Sequence, residues 1–162
     1  MAISQIVIFE IDGSEYGIDA SAVNGILRAQ KYNVQKVPGL PRIIEGMINL
    51  RGHVNYIFNL RNKFGLEEMI DDEDSKFIML NVGGQVVGCI VDEVTDIVHF
   101  NEEELQAAPT LASSLSVSYI KGIAKVDERM IIMLDPMQLL IADDSATETP
   151  LLKLADLSTI AG

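Results

Sequence analysis

Ile6-Val7-Ile8-Phe9 and Phe77-Ile78-Met79-Leu80 open two stretches that resemble each other, and both read as the wall of a small β-barrel. At the same offset of 71 residues, Gly13 matches Gly84, Gly17 matches Gly88, Val23 matches Val94, Ile26 matches Ile97 and Pro38 matches Pro109. Beyond Pro109 the register slips by five, to an offset of 76: Gly46 meets Gly122, and Ile57-Phe58 meet Met133-Leu134. Self-similarity with a period near half the chain decides the fold class. The repeated glycines and prolines fall where strands have to turn. The chain is read as a duplicated, mainly β unit.

Each copy carries the same plan. Ile6 to Ile11 is rich in β-branched residues, and Asp12-Gly13 supplies a turn into a partner strand at Glu15 to Asp19. Ser21 to Leu27 continues as a strand with a glycine bend. Val37-Pro38-Gly39-Leu40-Pro41 is a loop, since neither proline can donate within a ladder. Ile43–Leu50 and Val54–Asn59 form strands around Arg51-Gly52-His53, and a short helical turn is expected at Leu60–Phe64. The second copy predicts strands at Lys76–Val82, Gln85–Val91, Thr95–His99, Ile120–Val126 and Arg129–Leu134. Glu67 to Asp74 is an acidic connection between copies, and the five-residue surplus falls in a surface loop between Pro109 and Tyr119. Asp135-Pro136 reads as an N-cap with proline at the first helical position, opening a short helix to about Ala142. After a polar linker, the spacing of Leu151, Leu152, Leu154, Ala155, Leu157 and Ile160 predicts a C-terminal helix over 150–160.

Composition narrows the function. With 162 residues and 48% apolar side chains, the chain can bury a proper core as one domain. Its 24 acidic and 12 basic side chains give a net charge of −12, which repels phosphate backbones and anionic membranes, so nucleic acid is excluded as a main partner. Cys89 is the lone cysteine, set in the apolar run Val86–Val91, which suits a buried core residue in a reducing cytosol. No signal peptide is read at the N-terminus, and the apolar runs are too short to span a bilayer. The protein is expected to be soluble and intracellular.

Catalytic chemistry finds no footing. His53 and His99 lack ligand spacing, and no Gly-x-Ser-x-Gly elbow is present. Asp71-Asp72-Glu73-Asp74 lacks the alternating ligands and central glycine of a calcium loop, so it reads as a solvated charge run. Gly83-Gly84 is a hairpin turn with no Lys-Ser/Thr pair behind it. No catalytic residue, metal or cofactor is expected, which leaves the surface as the working part. Small barrels expose strand edges and grooves suited to binding proteins.

Gly46-Met47-Ile48-Asn49-Leu50-Arg51-Gly52-His53-Val54 is the most recognisable stretch. With Glu15–Asp19 before it and Gln85–Val94 after it, the chain closely resembles the CheW family of bacterial chemotaxis coupling proteins. Asn59–Phe64, the Pro109 region, Gly122-Ile123 and Met133-Leu134-Asp135 extend the resemblance over roughly residues 5–142. It implies two packed five-stranded SH3-like barrels with short helices, the first over about 6–66 and the second over about 76–142, with exchange of edge segments allowed. It also implies a non-enzymatic adaptor binding the cytoplasmic tips of chemoreceptors and the regulatory domain of the histidine kinase CheA. Such a protein is cytoplasmic, held in receptor arrays at the inner face of the membrane without inserting into it.

Carried over by position, the resemblance implies receptor contacts at Gly46, Asn49, Arg51 and Gly52, and kinase contacts at Val23, Ile26 and Arg28. A guanidinium at Arg51 offers several directed donors to a helical receptor tip. Gly52 suits a backbone requirement, and Val23 equally suits core packing. The sequence departs from many relatives at Tyr56, where they carry proline, and at Asn59, where they carry aspartate. The aspartate's loss removes a charge that could pair with Arg61 or cap the following turn. The rival readings are a CheV-like adaptor domain, a generic peptide-binding barrel and an enzyme.

Overall fold

Two hairpins in this chain each carry a strand that is apolar on both faces, and these strands organise everything else. In the computed structural model, which describes residues 3–67, 73–107 and 118–140, strands β1 (Ile3–Ile11) and β2 (Ser14–Asp19) form the first hairpin. Strands β6 (Lys76–Val82) and β7 (Gln85–Val91) form the second. The other strands are β3 (Val23–Arg28), β4 (Ile44–Leu50), β5 (His53–Asn59), β8 (Glu93–Asn101), β9 (Ile120–Val126) and β10 (Arg129–Leu134). Helix α1 (Leu60–Lys63) follows β5 and helix α2 (Pro136–Leu139) follows β10.

The strands make two five-stranded sheets. Sheet A has the order β8-β1-β2-β10-β9, and sheet B the order β3-β6-β7-β5-β4. The sheets therefore do not follow the halves of the chain. The first copy lends β1 and β2 to the strands of the second copy, and the second copy lends β6 and β7 in return. The division at 6–66 and 76–142 gives way to this reciprocal exchange, and the exchanged pieces are central hairpins where edge segments were allowed for.

The physical reason lies in the alternation of side chains along each strand. In β1, Ile6 and Ile8 point into the hollow of sheet A with Phe100, Ala124, Ile131 and Met133. Val7, Phe9 and Ile11 point the other way, into the core shared by the two sheets. In β6, Phe77 and Met79 fill the hollow of sheet B with Ile48 and Ile57, while Ile78, Leu80 and Val82 join the shared core. A strand buried on both faces has to sit mid-sheet, and its hairpin partner goes with it. Each such fully buried side chain contributes about 1.5–3 kcal/mol. No ladder among the described residues joins β8 to β9 or β3 to β4, so each sheet curls around its own apolar cluster without closing.

The duplication is visible in detail. Gln35 bridges Met47 alongside β4, and Gln106 bridges Ile123 alongside β9, at the offsets of 71 and 76 read from the sequence. A Cβ on Gly17 would stand 2.7 Å from Met133 Sδ, and one on Gly88 would stand 2.6 Å from Ile57 Cδ1, so both central hairpins need a bare backbone where the hollow is tightest. The expected C-terminal helix at 150–160, most of the surplus loop and residues 68–72 of the acidic connection lie outside the described residues. No described helix is long and apolar enough to cross a membrane.

Candidate functional site

The β4–β5 hairpin turns through two residues, Arg51 and Gly52, with φ of 53° and 83°. Positive φ at both central positions is the primed turn that matches strand twist, and it favours glycine or asparagine. Arg51 stands there as a long cation on an exposed turn in the left-handed region. Asn49 holds the turn: its side-chain oxygen accepts a hydrogen bond from the Gly52 N–H at 3.0 Å. Beside this hairpin runs an open groove of about 620 Å³, lined by Lys31, Tyr32, Gln35, Met47, Asn49 and Gly52 among others.

The expected receptor set thus splits by role. Arg51 projects from the turn, Asn49 and Gly52 line the groove and shape the turn, and Gly46 is buried. A Cβ on Gly46 would lie 2.4 Å from the carbonyl oxygen of Gln35 and 2.8 Å from Val34 Cγ1. Gly46 offers a partner no surface; it lets the 34–35 segment lie against β4 and form one wall of the groove. Tyr32 and Gln35 were not found by sequence reasoning. Their placement depends on a bridge between segments twelve residues apart, and no local pattern announces it.

The expected kinase set lies on β3, an edge strand that pairs with β6 alone among the described residues. Val23 and Ile26 are half-buried against the shared core, and Arg28 is exposed. Arg28 and the groove-side hairpin occupy opposite edges of the same sheet, with β6, β7 and β5 between β3 and β4.

The two departures noted in the sequence are absorbed locally. Tyr56 packs against the shared core. Asn59 still caps α1, its side-chain oxygen accepting from the Arg61 N–H at 2.9 Å, and its amide donates to Glu45 at 3.0 Å. Arg61 finds its charge partner in Asp92. On sheet A, Arg129 grips the Glu15 carboxylate with two donors and reaches Asp96 at 3.2 Å. This hydrogen bonding from Arg129 holds the Glu15 carboxyl below its ordinary range and raises the guanidinium in turn. Burial pushes the Cys89 thiol up to about 12, so it stays protonated and inert.

Comparison with known proteins agrees with the arrangement. The family model for the CheW-like domain matches residues 5–144. The chemotaxis protein CheW of Klebsiella aerogenes is 35% identical over 142 residues, covering 88% of this chain and 84% of that protein. CheW of Bacillus subtilis is 30% identical over 146 residues, covering 90% and 92% respectively. The crystal structure of the scaffolding protein TtCheW from Thermoanaerobacter tengcongensis superposes with a TM-score of 0.79 at 28% identity, covering 91% of this chain and 99% of that one. The chain that carries this reciprocal hairpin exchange, glycine-backed groove and Asn-Leu-Arg-Gly turn thus belongs to the CheW family.

Proposed function

We propose that this protein is a non-enzymatic chemotaxis adaptor that couples the cytoplasmic tips of chemoreceptors to the histidine kinase CheA. The receptor contact is assigned to the β4–β5 turn and its groove, with Arg51 as the principal donor and Asn49 and Gly52 as supports. The kinase contact is assigned to the β3 edge at Val23, Ile26 and Arg28. The protein works in the cytoplasm, in arrays at the inner face of the membrane, without inserting into it.

One observation carries the reading. Arg51 occupies a φ of 53° where glycine or asparagine would fold at lower cost. A strained, exposed cation beside a groove is the arrangement expected when the side chain is kept for a partner. A guanidinium can donate to the carboxylates and end-carbonyls of a helical receptor tip. At the other edge, β3 exposes backbone along one side, and a kinase domain of similar fold can pair barrel to barrel there.

Co-purification with a receptor signalling fragment and with a CheA-like regulatory domain, singly and together, tests this function. Binding to each alone, and a three-part complex when both are present, is the expected result. A folded sample that captures neither sinks the proposal. Capture of unrelated short peptides with equal affinity would replace it with a generic peptide-binding barrel.

A further inference from the structure

Helix α1 does more than end the Arg51 hairpin. Leu60 is fully buried in the shared core, which fixes the next side chain, Arg61, toward sheet A. Its side chain is only 13% exposed. Nε donates to Asp92 Oδ1 at 3.3 Å, Nη2 donates to Asp92 Oδ2, and Nη1 donates to the Glu67 carbonyl at 3.1 Å. Asp12 Oδ1 lies 3.8 Å from Nη1.

Asp92 is the single residue between β7 of sheet B and β8 of sheet A, so it stands where the chain crosses between sheets. Besides receiving Arg61, its Oδ2 accepts the Asp12 N–H at 2.9 Å, and its own N–H donates to the Glu10 carbonyl at 2.9 Å. One carboxylate therefore joins α1, the crossing point and the β1–β2 turn. Three residues beyond Arg61, the aromatic Phe64 reinforces the same side. It stacks on Tyr16 of β2 with centroids 5.1 Å apart and on Tyr119 at 5.8 Å.

The duplicated scaffold provides an internal comparison. At the offset of 76, Arg61 corresponds to Met137 of α2, and at the offset of 71 Asp12 corresponds to Gly83 and Asp92 to Ser21. Met137 is 40% exposed, and its methyl carbon lies 4.0 Å from the position of a Cβ on Gly83. The second copy thus places an uncharged thioether over glycine where the first places a bidentate ion pair over aspartate. A core shared by two sheets requires only apolar packing there, as α2 demonstrates. The ion pair on the α1 side adds direction and geometry.

We propose that Arg61 and Asp92 form a one-sided latch that fixes the orientation of sheet B, with its Arg51 hairpin, against sheet A. Arg61 is a positioning residue: it acts through Asp92 and Asp12 and touches no partner. Resting on the function proposed above, the latch keeps the receptor-bound hairpin and the rest of the molecule moving together.

The test begins on the isolated protein, so its outcome does not depend on that function. Arg61→Met copies the residue of the second copy. It is expected to speed hydrogen exchange at the Asp12 and Asp92 amides by about tenfold or more, while the amides of Ile8 and Ile78, inside the sheets, keep their protection. Spin labels at Ile97→Cys on sheet A and Arg28→Cys on sheet B are expected to show a broader distance distribution in this variant. Should Arg61→Met fail to fold, Asp92→Asn serves, since it keeps size and shape while removing the charge. Exchange and distances equal to the parent's in a folded variant overturn the latch. Failure of the parent protein to bind receptor fragment would instead fault the assigned function and leave the exchange result standing.

Discussion

A Cβ placed on Gly46 would stand 2.4 Å from the carbonyl oxygen of Gln35, closer than real side chains approach a backbone. Gln35 and Met47 exchange both backbone hydrogen bonds, at 2.8 and 2.9 Å, so Gln35 cannot retreat without breaking them. The same relationship recurs 76 residues on, where a Cβ on Gly122 would stand 2.4 Å from the Gln106 carbonyl oxygen. The duplication has preserved a backbone contact, and the glycines are its condition.

Gly46→Ala is expected to lower stability by about 1–3 kcal/mol, the usual cost of forcing atoms into a filled space. Urea unfolding measures it as a lower midpoint with an unchanged slope. Gly122→Ala is expected to be similarly costly, yet only Gly46→Ala should also weaken receptor-fragment binding, because only Gly46 backs the groove. Equal receptor affinity in folded Gly46→Ala would show that the 34–35 wall takes no part in binding.

Arg51 yields a sharper contrast. Arg51→Ala is expected to weaken receptor-tip binding by about 1.5–3 kcal/mol, the worth of a charge-assisted hydrogen bond, with the melting temperature close to the parent's. Kinase-domain binding should survive, since β3 lies at the opposite edge of sheet B. Arg51→Gly should lose receptor binding too, while gaining about 0.5–1 kcal/mol of stability from relief at φ 53°. Calorimetric titration and thermal melts of both variants decide the matter. Retained receptor affinity removes Arg51 from the site, and loss of both partners in a folded variant means that the surfaces are not separate.

Much of this was legible in the chain itself, and the limits have physical causes. The ten strands and two short helices follow from alternation, glycine turns and the Asp135 cap, because these signals are local, whereas the cap that Asn59 supplies to α1 is a finding of the structure. The turn residues Arg51 and Gly52 fell in place for the same reason. The hairpin exchange was hidden by the very strands that cause it. Where Ile6 and Ile8 face one core and Val7, Phe9 and Ile11 another, the apolar pattern does not say which sheet owns the strand. The family resemblance makes Gly46 a contact, although its repeat at Gly122 points to a shared backbone role. Nearness in sequence pairs Arg61 with position 59, whereas its partner Asp92 is 31 residues away.

Glu15 and Arg129 tie β2 to β10 on sheet A, next to the short parallel pairing of these strands at Tyr16 and Gly17. Because the hydrogen bonds from Arg129 lower the Glu15 pKa from 4.5, the folded state holds that proton less tightly than the unfolded chain. The resulting stability is fully present above pH 4.5 and is lost as pH falls through the lower folded value. Glu15→Gln is therefore expected to be less stable than the parent at neutral pH, by up to about 1 kcal/mol for so accessible a pair. The two should converge as pH falls below 4.5. Melting temperatures of both proteins across acid pH measure this, and a gap that stays constant on acidification removes the ion pair as its cause.

Cys89 completes the account of the shared core. It sits in β7 between Ile78 of β6 and Phe58 of β5, is 1% exposed, and its thiol is raised to about 12 by burial. At pH 8 the native protein is expected to resist a thiol-directed maleimide, because neither the thiolate nor a path to it is available. Labelling should go to completion in urea and, in native buffer, should report opening of the core. Cys89→Ser puts a hydroxyl among apolar neighbours and is expected to cost about 1–3 kcal/mol. Rapid labelling of the native protein would mean that the two sheets separate readily. The latch variant Arg61→Met makes the comparison decisive: Cys89 lies deep in sheet B's side of the shared core, so faster labelling there requires the sheets themselves to part, whereas loosening confined to the α1 end leaves its rate unchanged.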